Sequence, residues 1–198
     1  MRVAVFALFG LSAGILLAQD ATVHRTSVDI GKSPVEAKFA SGGQVRMELC
    51  SSAVNVVGEN SERVRVAYDA HYGDEVKVRL DVVDNHADLR VTGCPHNNFQ
   101  MTIEVPKSSD LYVRMFAGQM EVRGISGDKD VSMSAGQLTL NVGKPEDYGH
   151  VSTSVTSGDL QASAFDVEKG GLFRSFDKSG PGKYRLHAHV GAGQLELR

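Results

Sequence analysis

Carboxylates, imidazoles, thiols and side-chain amides recur in this sequence at spacings that can be set against known chemistry. Glu121, Asp159 and Glu196 are the acidic members of recurring six-residue units. Two of them working on a glycosidic bond would have to stand about 5–9.5 Å apart. If the units stack in chain order, Glu121 and Glu196 lie three strand spacings apart, roughly 14 Å. Asp159 and Glu196 are then diagonal neighbours at roughly 8–12 Å. A solvated strand face is the expectation for all three. His187 and His189 alternate with Ala188 and share one face, but a metal site needs at least a third ligand and the repeat brings none. His96 beside Cys94 is another nominal pair, and that cysteine has Cys50 as a partner. Ser132, Ser134, Ser152 and Ser154 read as outward strand residues with no histidine column expected beside them. The sequence holds no Gly-x-Ser-x-Gly elbow, phosphate loop, HExxH helix or CxxC pair. No catalytic residue, cofactor or metal ligand is assigned.

What positions these residues is a repeat. Ala117–Val122 reads AGQMEV, Ala135–Leu140 AGQLTL, Ser157–Ala162 SGDLQA and Ala192–Leu197 AGQLEL. Counting from the glycines Gly118, Gly136, Gly158 and Gly193, apolar or small residues occupy the odd positions before and the even positions after. Polar residues fill the rest. Period-two alternation marks strands, because successive side chains point to opposite faces. The phase slips by one residue at the glycine, so a bend there keeps both halves on one core. The column just before the glycine (Ala117, Ala135, Ser157, Ala192) is expected inside. Gln119, Glu121, Gln137, Thr139, Asp159, Gln161, Gln194 and Glu196 are expected outside, where Gln119, Gln137, Asp159 and Gln194 would stack as a hydrogen-bonding ladder. This outward strip is the candidate binding surface; stabilisation by the ladder is the simpler role.

The glycine spacings are 18, 22 and 35 residues. The last interval holds Phe165–Lys183, either a loop or a drifted coil. Gln44–Val57 fits the same columns with Ser52 in the glycine place, a degenerate first unit. Val35–Phe39, Val64–Tyr68, Val76–Val82, Asp88–Thr92 and Met101–Val105 read as further strands. The expected fold is all-β, a single-stranded parallel β-helix or solenoid over residues 44–198, irregular in 44–106 and regular in 107–198. An antiparallel β-sandwich is the alternative. A unit cannot bury its own apolar face alone, so stacking must do it.

Residues 1–18 have a basic start, a short apolar run and a small residue at Ala18, the pattern of a signal peptide cleaved after Ala18. Residues 19–43 form a lead-in. No later apolar run is long enough to span a bilayer. An exported chain favours a disulfide between Cys50 and Cys94. The formal net charge is −3 at pH 7, which argues against a nucleic-acid binder or a binder of anionic membranes.

The motif [Ala/Ser]-Gly-[Gln/Asp]-[Leu/Met]-x-[Val/Leu/Ala], preceded by MTIEVP at Met101–Pro106 and LYVRMFAGQMEV at Leu111–Val122, resembles the bacterial putative adhesin domain family. The resemblance runs from about Val45 to Arg198. It implies an exported protein with a right-handed β-helical fold, and it transfers no catalytic residue. The partners it points to are an envelope protein or a glycan, in the periplasm, at the cell surface or secreted. The last unit ends at Arg198, so an open final rung is expected to permit self-association or strand addition.

Overall fold

The computed structural model describes residues 25–29, 33–69, 76–95 and 99–198. The signal-peptide reading of 1–18, the first residues of the lead-in and His96 lie outside them. The described residues form thirteen strands in one mixed sheet. They are β1 (Arg25–Asp29), β2 (Val35–Lys38), β3 (Gln44–Leu49), β4 (Ser52–Glu59), β5 (Arg63–Tyr68), β6 (Lys77–Val83), β7 (His86–Thr92), β8 (Gln100–Pro106), β9 (Asp110–Arg123), β10 (Lys129–Leu140), β11 (Tyr148–Ala162), β12 (Val167–Ser179) and β13 (Tyr184–Leu197). Two short 3-10 turns, Pro145–Asp147 and Ser163–Phe165, interrupt them.

The repeat units are β9, β10, β11 and β13, and they pair in parallel with their glycines opposite one another. Each strand bends at its glycine. The degenerate first unit divides at the same bend: β3 pairs with the first half of β9 and β4 with the second, with Ser52 opposite Gly118. The inward columns follow. Val113, Val131, Ala188 and Thr153 form one buried row; Met120, Leu138, Leu195 and Leu160 form another. Burying a side chain of this size contributes about 1.5–3 kcal/mol, and the rows repeat at about 4.8 Å.

The order of stacking differs from the order of the chain. The sheet runs β1-β6-β7-β3-β9-β10-β13-β11-β12. The last unit, β13, is inserted between β10 and β11, so both its edges are hydrogen-bonded. The C-terminus is held as well: the Arg198 amide donates to Leu140 O, and the Val142 amide donates to Arg198 O. The open final rung is therefore corrected, because the last repeat offers no free edge. Residues Phe165–Lys183 are neither loop nor parallel coil. They contain β12, which folds back antiparallel on β11. An antiparallel meander is also excluded for the repeats, and the path shows no pairing between its two ends among the described residues. The sheet is open, not the closed coil expected.

The residues before the glycines are corrected too. Ala117 and Ala135 are half-buried, and Ser157 and Ala192 are exposed. The bend takes two residues, so both lie on the outer side of the corner and burial resumes only two residues past the glycine. Cys50 and Cys94 are bonded, with Cα atoms 5.9 Å apart. The bond ties the corner between β3 and β4 to the chain leaving β7.

Candidate functional site

The outward strip assembles as two rows across the second halves of the strands. One row reads Gln119, Gln137, Gln194, Asp159 from β9 to β11; the next reads Glu121, Thr139, Glu196, Gln161. All eight predicted strip residues are exposed or half-buried. Insertion of β13 puts Gln194 beside Gln137, whose Nε2 donates to Gln194 Oε1 at 3.3 Å. Strands β4 and β8 extend both rows with Ala53 and Gln100, and with Asn55 and Thr102. The phase of Gln44–Val57, with Ser52 in the glycine place, already put Ala53 and Asn55 in these columns, whereas Met101–Val105 carried alternation without a register to the repeat.

The carboxylate spacing changes with the strand order. Glu121 and Glu196 stand two strands apart on either side of Thr139, roughly 10 Å and not 14 Å. Glu196 is held by Arg198, whose Nε and Nη2 donate to it at 2.7 and 2.8 Å. Glu121 lines a depression of about 300 Å³ together with Gln119, Gln137 and Thr139.

The same insertion corrects the histidines. His189 stands between Ser132 and Ser154, and His187 between Asp130 and Ser152. Ser154 Oγ and His189 Nδ1 are 2.8 Å apart, so a histidine column does stand beside the serines. Among the described residues no group of three His, Cys, Asp or Glu side chains is placed to hold a metal. The rest of this first-half face is a lattice of ion pairs. Arg90 reaches Glu48 at 2.7 Å, Arg114 reaches Asp130 at 2.8 Å and Arg185 reaches Asp128 at 3.1 Å. Arg114 also stacks on Tyr112, 3.7 Å from the ring centre. A concavity of about 820 Å³ opens at the corner, walled by Phe116, Arg90, Arg114 and the Cys50 turn.

One titratable group is misplaced by the pattern. Lys129 occupies an inward column with Val45, Leu111, Leu186 and Val151 and is 2% exposed. Its Nζ donates to Gly127 O at 3.0 Å and to Tyr148 Oη at 2.6 Å. Burial lowers its pKa to about 8, against the opposing pull of Asp128 and Asp110. Burial pushes the Tyr148 hydroxyl up from its usual value, with Asp147 adding to it. The pH dependence follows. Between about pH 8 and 10 an unfolded Lys129 keeps a proton that the folded one has lost, so stability rises with pH. The full shift of about 2.5 units corresponds to about 3 kcal/mol. Above about pH 10 the unfolded Tyr148 loses a proton that the folded one keeps, and stability falls again. Denaturant titrations from pH 7 to 11 should show this maximum. Lys129→Met should raise stability at pH 7 and remove the rise; an unchanged slope in the variant would refute the assignment.

No protein-family model and no curated protein sequence matches this chain. Its fold is similar to that of a putative cell adhesion protein from Clostridium sporogenes ATCC 15579, with a TM-score of 0.50 and 14% identity over 83% of this chain and 100% of that one. A putative adhesin from Parabacteroides merdae ATCC 43184 aligns over 90% of this chain and 82% of its own at 10% identity, but its TM-score of 0.29 carries no argument. The likeness to the clostridial protein is one of fold. Among the described residues no helix is long and apolar enough to cross a membrane.

Proposed function

We propose that this chain is an exported, non-enzymatic, adhesin-like protein that binds a glycan or an envelope protein through the outward face of its strand stack. We read the stack as an open variant of a parallel β-helix. The observation that carries the reading is the amide row itself. Gln119, Gln137, Gln194 and Asp159 come from four separate repeats and converge in register on one face. Such a row presents donors and acceptors at a fixed step of about 4.8 Å, suited to an extended polymer lying along the stack. The clostridial protein of similar fold supports an adhesive role.

A glycan array and a pull-down from envelope extracts test the proposal. Gln119→Ala with Gln137→Ala and Gln194→Ala should abolish capture while leaving the melting temperature within a few degrees. A purely structural ladder gives the opposite pattern: lower melting temperature and no loss of capture. Strand addition at the envelope is the second reading, and β12 is the edge it would use. Lys169, Arg174 and Lys178 occupy the inward columns of β12, opposite Leu160, Val155 and Val151. An added strand would bury these cations, a device that protects edges. Binding through the face is therefore favoured.

A further inference from the structure

Phe116 is 70% exposed and occupies an outward column in which the other units carry small residues. These are Cys50 in the degenerate unit, then Ser134, Gly191 and Thr156. The fold therefore makes no demand for an aromatic at this position and gains little burial from one. Among the described residues no other ring and no cation packs on it. It walls the corner concavity of about 820 Å³, within the roughly 300–1,000 Å³ of small-molecule sites.

Beside the ring stand polar groups with unused hydrogen-bonding capacity. Arg114 makes all three of its hydrogen bonds through Nη1, to Val113 O, Asp130 O and Asp130 Oδ1. Its Nη2 and Nε are left to donate. His189 meets Ser154 through Nδ1, which leaves Nε2. Ser132 stands between Arg114 and His189 in one row, and no side-chain hydrogen bond among the described residues uses its hydroxyl. The row spans roughly 10 Å from Arg114 to His189. The formal charges of the concavity are already balanced, since Arg90 reaches Glu48 and Arg114 reaches Asp130. A charged ligand finds no unpaired counter-charge there. An acyl chain would cover Arg114, Ser132 and His189 and leave their donors unmet, which is costly.

We infer that this concavity binds a neutral saccharide. One sugar ring stacks its C–H face on Phe116, and its hydroxyls meet Arg114, Ser132 and His189. A pyranose combines those two properties, an apolar face and a rim of uncharged donors and acceptors, and an aromatic wall beside free polar groups matches both. The inference rests on the glycan reading proposed above. It adds a second subsite, on the first halves of the strands, across the corner from the amide row on the second halves.

The chain lacks tryptophan, so Phe116→Trp introduces a sole indole reporter that keeps the stacking surface. Its emission should shift with at least one of four neutral probes: cellotetraose, chitotetraose, mannotetraose and galactotetraose. Calorimetry on the native chain should show the same preference. Phe116→Ser, which installs the residue found at Ser134, should lower affinity tenfold or more. Its melting temperature should stay within a degree or two, because the ring is exposed. Arg114→Lys keeps a charge beside Asp130 but loses the free donors, and should lower affinity about tenfold. The triple glutamine variant should bind these short probes as the native chain does.

Affinity unchanged in both Phe116→Ser and Arg114→Lys overturns the inference, and if the glutamine variant then loses the sugar, the amide row stands alone. Loss in Phe116→Ser with retention in the glutamine variant supports the cleft and not the row. No binding of any neutral probe to the native chain overturns the inference, as does tighter binding of trigalacturonate or laurate. An indole emission that changes with protein concentration without sugar also overturns it and assigns Phe116 to self-association.

Discussion

Gly136→Ala is expected to cost at least about 4 kcal/mol, the range reserved for severe core or backbone disruption. That corresponds to roughly 8–16 °C in melting temperature for a chain of this size. Two effects combine. Gly136 has φ of +123°, a conformation that side chains rarely adopt, and the neighbouring glycines of the column lie between +123° and +137°. A Cβ at Gly136 would also overlap the carbonyl oxygen of Gly118, just as one at Gly193 would overlap Gly136 O and one at Gly158 would overlap Gly193 O. The strands cannot separate at one corner without breaking pairing along both arms. Gly143 is the control. Its φ is +69° and nothing lies within 4 Å of an added Cβ, so Gly143→Ala should cost only about 1–2 kcal/mol. Thermal melts of the two variants side by side decide it. Equal losses would show that backbone conformation alone matters and that the close approach of the rungs does not.

Breaking the Cys50–Cys94 bond is expected to cost about 4 kcal/mol. The bond closes a loop with a sequence separation of 44, and its removal frees that loop in the unfolded chain. The bridge ties the broken corner of the degenerate repeat to the chain leaving β7. In the other units one continuous strand turns the corner at a glycine; here β3 and β4 are separate strands flanking Cys50. Cys50→Ser with Cys94→Ser should lower the melting temperature by roughly 8–16 °C. Reduction of the native protein by dithiothreitol should reproduce that loss. A change below a degree or two in both experiments would show that the first rung is held by its strand pairing alone.

Much of the local structure was legible in the residues. Period-two columns named the buried rows, and the slip at each glycine named the bend. The phase that placed Ser52 opposite the glycine column is the register found between β4 and β9. Lys129 was legible as well, as the one cation in an otherwise apolar column, yet the repeat counted from the glycine did not reach back that far. The small residues before the glycines misled, because alternation is a rule for straight strands and the corner spends two residues outside the core.

Composition and spacing determined which side chains face inward, where each strand bends and which residues can form rows, since these depend on a few neighbouring residues and on backbone geometry. The order of the rows was decided only by tertiary structure. Units with near-identical columns fit beside one another in any order, so periodicity contains no preference among them. With β12 folded back on the other edge of β11, β13 lies between β10 and β11 and pairs with both. That single placement set Gln194 against Gln137, brought His189 to Ser154, drew Glu121 and Glu196 closer, and left β12 as the exposed end of the stack.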